Sequence, residues 1–485
     1  MSVAREQLRR IAIAGDGPLG VLAAIALKRA LPTTDIVIIG TPPDPAALAE
    51  RSATALPFTS RLHDKLGVPE EELVKRCGAS HRLVTRYLGW GGAEHEGLAS
   101  YGAEIDPKLN TGFARHWGVG PRNASAATPP GSLAEVLAAA GRYAPPQPDG
   151  SLTLPGVEAA LRWNIPAYRD LLVGKAQQLG LRHVSGAIAA VEPDGSGGAA
   201  SVSVAGGLRI PADLFIDCSG PGAAMLSQLP GFRSTDYSAR LPATAIVETR
   251  PRAPMLALED RIVLAAAGWR WDLAGRDGAM AWLGIAAGVD PEKAAAGLGL
   301  EPVSMVRVTP GRAAEPWLGN VVALGDAAAR LEPLGGFALD LSHRQLDLLL
   351  DVLPGRPLSP LERAEFNRRA GLMADRAGDV LGAHYAAPMA RAAFGERALS
   401  DELALTLDQH VRRGRVPFFE ETPLLTRETG SLLDALGFAV GEGALARAEG
   451  ADDGEARAGA FAARARAALG AVPPYREWME RLVRG

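Results

Sequence analysis

The alternation of apolar and polar segments near the start of the chain predicts a strand, a helix and a second strand. Residues 11–14 form a short apolar run, as expected for a strand that is buried on both faces of a parallel sheet. Residues 21–30 lack glycine and proline and are rich in Ala and Leu, which favours a helix. Residues 35–39 (DIVII) form a second, β-branched run. This order is a βαβ unit, and it predicts an α/β fold with a doubly wound, Rossmann-like lobe.

Two later segments predict that the chain returns to the same sheet. Residues 213–216 (DLFI) and 321–324 (VVAL) are apolar runs, and each is followed by a small turn, DCSG or GD. Residues 156–184 are expected to be largely helical, with Pro166 interrupting the helix. After residue 355 the pattern is mostly helical. We therefore expect an α/β lobe assembled from distant segments, followed by a helical C-terminal region.

The connection between the first strand and the first helix reads GDGPLG. In a dinucleotide-binding turn Gly15 would make the bend, Gly17 would let the backbone approach a pyrophosphate, and Gly20 would let helix and strand pack closely. The alternative is a plain structural turn, because the chain contains 56 glycines and a GxGxxG pattern arises easily by chance. The end of the second strand carries Gly40 where such sites have an acid that binds the ribose. Asp44 is a nearby substitute.

Composition narrows the class of protein. The chain has 485 residues, of which 47% are hydrophobic and 22% charged, a balance typical of a globular protein with more than one lobe. The net charge is −4 without a long basic run, which argues against nucleic-acid binding. We see no apolar run long enough for a membrane span and no signal peptide, so we expect a cytoplasmic protein. The cysteines Cys77 and Cys218 and the histidines His81, His116 and His343 lack metal-ligand spacing, so we predict no metal site.

Three separated turns together favour FAD. In FAD enzymes of the two-domain oxygenase type, a GxGxxG turn, a late apolar strand ending in a small turn, and a Gly-Asp at a strand end all touch the cofactor. The chain has all three in order, as GDGPLG, LFIDCSG and VVALGDAA. Gly325 permits a close backbone approach and Asp326 can accept hydrogen bonds from the ribityl hydroxyls. A plain helix N-cap is the alternative role for Asp326.

The stretch WRWDL (Trp269–Leu273) is similar to the WxWxIP signature of the flavin-dependent tryptophan halogenases, with Leu273 and Ala274 in place of Ile and Pro. It is the most specific match in a resemblance to that family that runs through most of the chain. The simpler interpretation of Trp269 and Trp271 is that they alternate along a strand and pack on one face. The other matching stretches are GDGPLG, LHDKLGVPEEELVKRCGAS, ADLFIDCSG, PWLGNVVALGDAA, LEPLGG, HY and SLLDALGF.

The resemblance implies a mechanism, and the chain departs from it at two positions. In that family reduced FAD and oxygen convert halide into hypohalous acid, a lysine engages the halogenating species, and a glutamate assists loss of the ring proton. Alignment by eye places Arg82 at the lysine, Gly335 at the glutamate and Gly336 at the serine that follows it. Arginine stays protonated and glycine has no carboxylate, so neither can replace the family residue. A shifted alignment would instead offer His81 or Glu332.

A third family mark, GEAT, is also absent, since the chain reads ERSATALP there. Three interpretations stay open: an FAD-dependent oxygenase that does not halogenate, a halogenase with rearranged catalytic groups, or a non-catalytic paralogue that binds FAD or a partner protein. The resemblance implies a separate flavin reductase, a small aromatic or indole-type substrate and possible homodimers. The predicted cofactor-binding residues are Gly15, Gly17, Pro18, Leu19, Gly20, Gly325, Asp326, Gly335 and Gly336, and the predicted substrate-side residues are Trp269, Trp271 and His81.

The same resemblance suggests a division of the chain into discontinuous parts. Residues 1–60, 155–245 and 305–350 are expected to form the FAD-binding domain. Residues 61–154 and 246–304 are expected to form a mixed-sheet substrate side, and residues 355–485 the helical C-terminal region.

Overall fold

The computed structural model describes residues 6–42, 44–102, 132–147, 149–441 and 451–484, without the side chains of residues 451–458. His116 lies outside these ranges. The strands are β1 (Arg10–Ala14), β2 (Asp35–Gly40), β3 (Ser80–Arg82), β4 (Val84–Leu88), β5 (Glu96–Ser100), β6 (Ala160–Arg162), β7 (Arg182–Ser185), β8 (Ile188–Pro193), β9 (Ala199–Val204), β10 (Arg209–Pro211), β11 (Leu214–Asp217), β12 (Ser234–Asp236), β13 (Ala245–Thr249), β14 (Glu259–Ala265), β15 (Gly268–Leu273), β16 (Met280–Ile285), β17 (Pro302–Arg307), β18 (Gly311–Ala313), β19 (Trp317–Leu318), β20 (Val321–Ala323) and β21 (Ala329–Arg330).

The α-helices among the described residues are α1 (Pro18–Ala30), α2 (Phe58–Lys65), α3 (Glu70–Arg76), α4 (Leu133–Ala139), α5 (Ile165–Gln178), α6 (Pro291–Gly297), α7 (Phe337–Asp351), α8 (Pro360–Ala386), α9 (Ala390–Phe394), α10 (Asp401–Arg413), α11 (Thr426–Ala435), α12 (Ala451–Ala471) and α13 (Tyr475–Arg484). None of them is long and apolar enough to cross a membrane.

A six-stranded sheet with the order β19-β20-β11-β1-β2-β7 forms the α/β lobe. All neighbours in it are parallel except β19 and β20. Ile11 and Ile13 of β1 belong to one core cluster, whereas Ala12 and Ala14 belong to another on the opposite face. Burial on both faces explains why the strand is a continuous apolar run instead of an alternating one. The predicted α/β fold is confirmed, with the two late strands β11 and β20 in the same sheet as β1.

A second, seven-stranded sheet has the order β17-β13-β16-β15-β14-β4-β5. Its neighbours are antiparallel except β14 and β4. Trp269 and Trp271 of β15 are both buried, and Trp271 lies directly opposite Trp282 of β16. The two residues do alternate along a strand and pack on one face, as the simpler interpretation had it. They also take part in the contacts of the candidate site.

The segment 156–184 differs from the expected interrupted helix. Residues 160–162 form β6, which pairs with β3, and α5 begins only at Ile165. Pro166 lies in the first turn of α5, where its missing N–H costs nothing. The Asn164 side chain caps that helix by accepting the Ala167 N–H at 3.1 Å. Proline therefore starts this helix, and Arg162 is a buried strand residue.

Candidate functional site

The three small turns predicted to touch one cofactor lie side by side. β1, β11 and β20 are adjacent and parallel, so the turns after them meet at one edge of the sheet. A Cβ atom added to Gly15 would lie 2.2 Å from the Cys218 carbonyl oxygen, and one added to Gly325 would lie 2.4 Å from Leu19 Cδ2. Each turn thus contacts another one directly. The glycine-turn region consists of residues 15–20, 217–220 and 325–327.

The first turn has a backbone that requires glycine. Gly15 has a φ of +107°, and a Cβ atom on Gly20 would lie 2.0 Å from the Gly15 carbonyl oxygen. α1 begins at Pro18, which has no N–H, and no side chain of the N-cap residue caps this helix. The first hydrogen bond within the helix is donated by the Val21 N–H. The N–H groups of Leu19 and Gly20 therefore have no acceptor within the helix and can donate to an anion at its start.

The segment that carries Glu50 contacts this region through two carboxyl groups, that of Glu50 itself and that of Asp326 in the third turn. Glu50 Oε1 accepts the Leu19 N–H at 3.2 Å, and Asp326 Oδ2 accepts the Ala49 N–H at 3.0 Å. Burial raises the pKa of Glu50 to about 7, although the Leu19 N–H opposes this change. Burial and the nearby Glu50 carboxyl raise the pKa of Asp326 well above its usual range. Asp326 lies in the predicted region, and its carboxylate binds the backbone of the segment that carries Glu50.

The end of β2 has no acid of its own, but Asp16 lies beside it. A Cβ atom on Gly40 would be 3.1 Å from Asp16 Oδ2. That oxygen accepts a hydrogen bond from Arg169 Nη2 at 2.7 Å and lies 3.2 Å from His183 Nε2. The Asp44 carboxylate instead accepts a backbone N–H of its own segment at 2.8 Å. Sequence analysis missed Asp16 because it comes from the glycine turn and not from β2.

The LEPLGG loop brings a second glycine pair close to the chain. Gly335 and Gly336 have φ values of +70° and +85°, in the left-handed region that favours glycine. A Cβ atom on Gly336 would lie 2.9 Å from the Thr54 carbonyl oxygen. α7 begins directly after Gly336. The loop can therefore pack tightly on the ERSAT segment only with glycine at this position.

Arg82 and Gly335 lie next to each other. The Arg82 Nη2 donates to the Gly335 carbonyl oxygen at 3.4 Å and to the Ala55 carbonyl oxygen at 3.2 Å. The Arg82 side chain is fully buried. Its guanidinium carbon lies 5.4 Å from the centre of the Tyr101 ring and 5.9 Å from that of Trp271, within the range of a cation–π contact. These two positions, distant in sequence, are therefore in direct contact.

Asp260 compensates the charge of Arg82. Its Oδ2 accepts from Arg82 Nη1 at 3.4 Å, and its Oδ1 accepts from Arg162 Nη1 at 2.8 Å. Oδ1 also accepts the Ala274 N–H at 3.1 Å. The carboxylate and both guanidinium groups are buried, so each depends on the others for its compensation. Sequence analysis did not find Asp260, which lies about 180 positions from Arg82.

A buried carboxyl group lies beside the first tryptophan of the WRW motif. Trp269 Nε1 donates to the Tyr385 hydroxyl oxygen at 2.9 Å, and the Tyr385 hydroxyl donates to Glu332 Oε2. The other oxygen of Glu332 has no hydrogen-bond partner among the described residues. Burial raises the pKa of Glu332 to about 7, and the hydrogen bonds of Tyr385 and Trp269 oppose this change. The tryptophan region consists of Arg82, Trp269, Trp271, Glu332 and Tyr385.

The histidines take structural positions. His81 lies on the opposite face of β3 from Arg82, since successive residues of a strand point to opposite sides. Its Nε2 lies 2.8 Å from Glu70 Oε1, and its Nδ1 lies 2.9 Å from the Tyr475 hydroxyl of α13. His81 thus contacts α3 and α13 and lies away from the Arg82 side of β3. His343 is buried against Thr59, and no group of metal-binding side chains occurs in the described parts of the chain.

The glycine-turn region fits the diphosphate of FAD. The fit rests on the close-packed glycines and on two N–H groups at the start of α1, which make no hydrogen bond within the helix and donate to the Glu50 carboxyl group. The described residues therefore include a glycine turn of the dinucleotide-binding type and, in the tryptophan region, a cluster of buried aromatic side chains.

Comparisons with known proteins agree with this class of site. The family model for tryptophan halogenase matches residues 10–422, so the chain belongs to the tryptophan halogenase family. Tryptophan 7-halogenase RebH of Lentzea aerocolonigenes is 26% identical over 423 residues, which is 78% of this chain and 76% of the relative. Tryptophan 6-halogenase ThaL of Streptomyces albogriseolus is 24% identical over 429 residues, again 78% of this chain and 76% of the relative.

Solved structures show the same fold over nearly the full length. Xcc4156, a flavin-dependent halogenase from Xanthomonas campestris, superposes with a TM-score of 0.86 at 22% identity, covering 98% of this chain and 99% of that one. BrvH, a flavin-dependent halogenase from Brevundimonas sp. BAL3, superposes with a TM-score of 0.83 at 22% identity over the same shares. The family is one of flavin-dependent enzymes, and it implies FAD as the cofactor.

Proposed function

We propose that this chain is an FAD-dependent oxygenase of the tryptophan halogenase family that acts on an aromatic, indole-type substrate and halogenates it weakly or not at all. The observation that carries this proposal is the contact between Arg82 and Gly335. The two positions that handle halogen and proton in the family alignment lie together, yet they contain neither an amine that can lose its proton nor a carboxylate.

The cofactor would be held mainly by backbone. The proposed contacts are made by Gly15, Gly17, Pro18, Leu19 and Gly20 of the first turn, Gly325 and Asp326 of the third, and Gly335 and Gly336 of the LEPLGG loop. Bound FAD supplies activation of oxygen once it is reduced. The chain shows no nicotinamide site in its sequence, so the reduced flavin would come from a separate reductase.

The residues of the tryptophan region would bound the substrate end of the site. Trp269 and Trp271 are buried, and Arg82 places a permanent positive charge beside Trp271. A buried guanidinium can orient or stabilise an anion but cannot accept a proton at neutral pH. Its proposed role is therefore electrostatic. The domain boundaries given above, with residues 1–60, 155–245 and 305–350 around the cofactor, are part of this proposal.

One observation favours a second candidate, a true halogenase with rearranged groups. Glu332 precedes Gly335 by three residues, its carboxyl group is buried, and one of its oxygens has no partner among the described residues. Its pKa of about 7 suits a group that accepts a proton near neutral pH. In that case Glu332 would assist the loss of a ring proton from the opposite end of the loop.

A coupled assay distinguishes the two candidates. Purified protein is mixed with FAD, a flavin reductase, NADH, chloride or bromide, and a panel containing tryptophan and other indoles, and the products are identified by mass spectrometry. We expect products that gain oxygen and no halogen. A product that gains one halogen would contradict the first proposal, and loss of that product in Glu332→Gln but not in Glu70→Gln would support the second.

A further inference from the structure

The segment that follows β2 folds back over the glycine turn with a carboxylate directed at the start of α1. Glu50 Oε1 accepts the Leu19 N–H at 3.2 Å, and the Gly20 N–H also bonds to this carboxyl group. A Cβ atom placed on Gly17 would lie 2.2 Å from Glu50 Oε2. Gly17 therefore leaves the space beside the turn that Glu50 fills.

These hydrogen bonds use the donors that a diphosphate would need. Pro18 has no N–H, and the Val21 N–H is bonded inside the helix to the Gly17 carbonyl oxygen at 3.1 Å. The donors that remain at this end of α1 are the N–H groups of Leu19 and Gly20, and Glu50 accepts both. A carboxyl group of the chain itself thus satisfies the start of α1.

Further contacts hold the segment in this position. The Asp326 carboxylate accepts the Ala49 N–H at 3.0 Å and the N–H of Glu50. The next residue, Arg51, forms an ion pair with Glu248 of β13. Asp16, whose side chain pairs with Arg169, also lies near this carboxyl group. The contacts of Ala49, Glu50 and Arg51 therefore hold the Glu50 side chain at the start of α1.

We propose that Glu50 is an internal competitor of the cofactor diphosphate, and that FAD binds only when the Glu50 side chain leaves the start of α1. This inference rests on the proposed function and adds a determinant of cofactor affinity to it. Two anions cannot share the same pair of N–H donors, so every diphosphate that binds must displace the carboxylate. The chain would consequently bind FAD more weakly than its glycine turn allows.

The test compares the dissociation constants of FAD and ADP, since ADP contains the diphosphate without the flavin. Both ligands are titrated into the wild type, Glu50→Ala and Glu50→Gln by isothermal titration calorimetry. We expect Glu50→Ala to bind both about 10-fold more tightly, by a similar factor, which corresponds to about 1.4 kcal/mol. Glu50→Gln should show a smaller gain, because the neutral amide oxygen still accepts a hydrogen bond but more weakly.

Asp44→Asn is the matched control. It removes the same charge from the same segment and keeps the local hydrogen bond to the backbone, so it should change either dissociation constant by less than about threefold. Unchanged or weaker binding in both Glu50 variants, with normal binding in the wild type, would overturn this inference alone. An equal gain in Asp44→Asn would also overturn it, because a general charge effect would then suffice. Absence of FAD and ADP binding to every variant would overturn the proposed function as well.

Discussion

The glycine-turn region uses backbone to prepare for its ligand, whereas the tryptophan region uses side chains. In the glycine-turn region, a Cβ atom added to Gly15 or Gly20 would lie about 2 Å from a backbone carbonyl oxygen, so only glycine fits. The hydrogen-bond donors there are backbone N–H groups at the start of α1. In the second, charge and hydrogen bonding come from Arg82, Asp260 and Glu332. A backbone site keeps its chemistry as long as glycine stays. A side-chain site changes its chemistry with one substitution, and this chain has Arg82 and Gly335 where the family resemblance expects lysine and glutamate.

The largest expected effect on stability concerns the charge cluster beneath the tryptophan region. Asp260→Asn would leave Arg82 and Arg162 buried without a counter-charge, so we expect a loss of about 3 to 5 kcal/mol in the free energy of unfolding. Chemical denaturation followed by circular dichroism measures it. Asp272→Asn is the control on β15, because Asp272 pairs with the half-exposed Arg252 and should cost about 1 kcal/mol or less. Equal losses in the two variants would show that burial of this cluster does not matter.

The next effect is a dependence of stability on pH that comes from Glu332. Its pKa is 4.5 ordinarily and about 7 in the folded chain. Because the folded value is the higher one, its stabilising contribution is complete below pH 4.5 and is lost as the pH rises to about 7. The difference between the two pKa values corresponds to a loss of about 3 kcal/mol in the free energy of unfolding.

Glu332→Gln removes this titration, so its free energy of unfolding relative to the wild type should improve by about 3 kcal/mol between pH 4.5 and pH 7.5. Denaturant titrations at several pH values measure the difference. Glu50 is present in both proteins and cancels in the comparison. A constant difference across this pH range would mean that Glu332 is already ionised in the folded chain.

A smaller effect on stability distinguishes a glycine that needs a left-handed backbone from a glycine inside a helix. Gly335→Ala should destabilise by about 1 to 2 kcal/mol because its φ is +70°, and the new Cβ atom would lie 2.6 Å from the Phe337 ring. Gly174→Ala in α5 meets open space and should stabilise by about 0.5 to 1 kcal/mol. Thermal unfolding of the two variants gives the comparison. Stabilisation by Gly335→Ala would contradict the requirement for glycine at this position.

The sequence was sufficient for features set by local rules. The apolar runs of β1, β2, β11 and β20, with the small turns after them, predicted one sheet edge, and the sheet order confirms it. The role of Pro166 was harder to predict, because a proline can either interrupt a helix or lie in its first turn. The pairing of residues 160–162 with β3 shows that the helix begins only at Ile165.

The missed residues depend on long-range packing. Glu50 reaches α1 only because residues 44–52 fold back over the turn, and Asp260 meets Arg82 only through the pairing of β14 with β4. His81 was placed near the substrate because it adjoins Arg82 in sequence, but the two-residue period of β3 turns it toward α13. No local pattern in the sequence predicts these contacts.

The central claim is that the three separated turns form one FAD site. Titration of the wild type and of Gly20→Ala with oxidised and reduced FAD, followed by flavin fluorescence or calorimetry, tests it most directly. We predict saturable binding of one FAD per chain to the wild type, and binding at least about 10-fold weaker in Gly20→Ala, because its Cβ atom would lie 2.0 Å from the Gly15 carbonyl oxygen and force the turn open. Binding of neither form of FAD to the folded wild type at high micromolar concentration, or equal binding to both proteins, would contradict the claim.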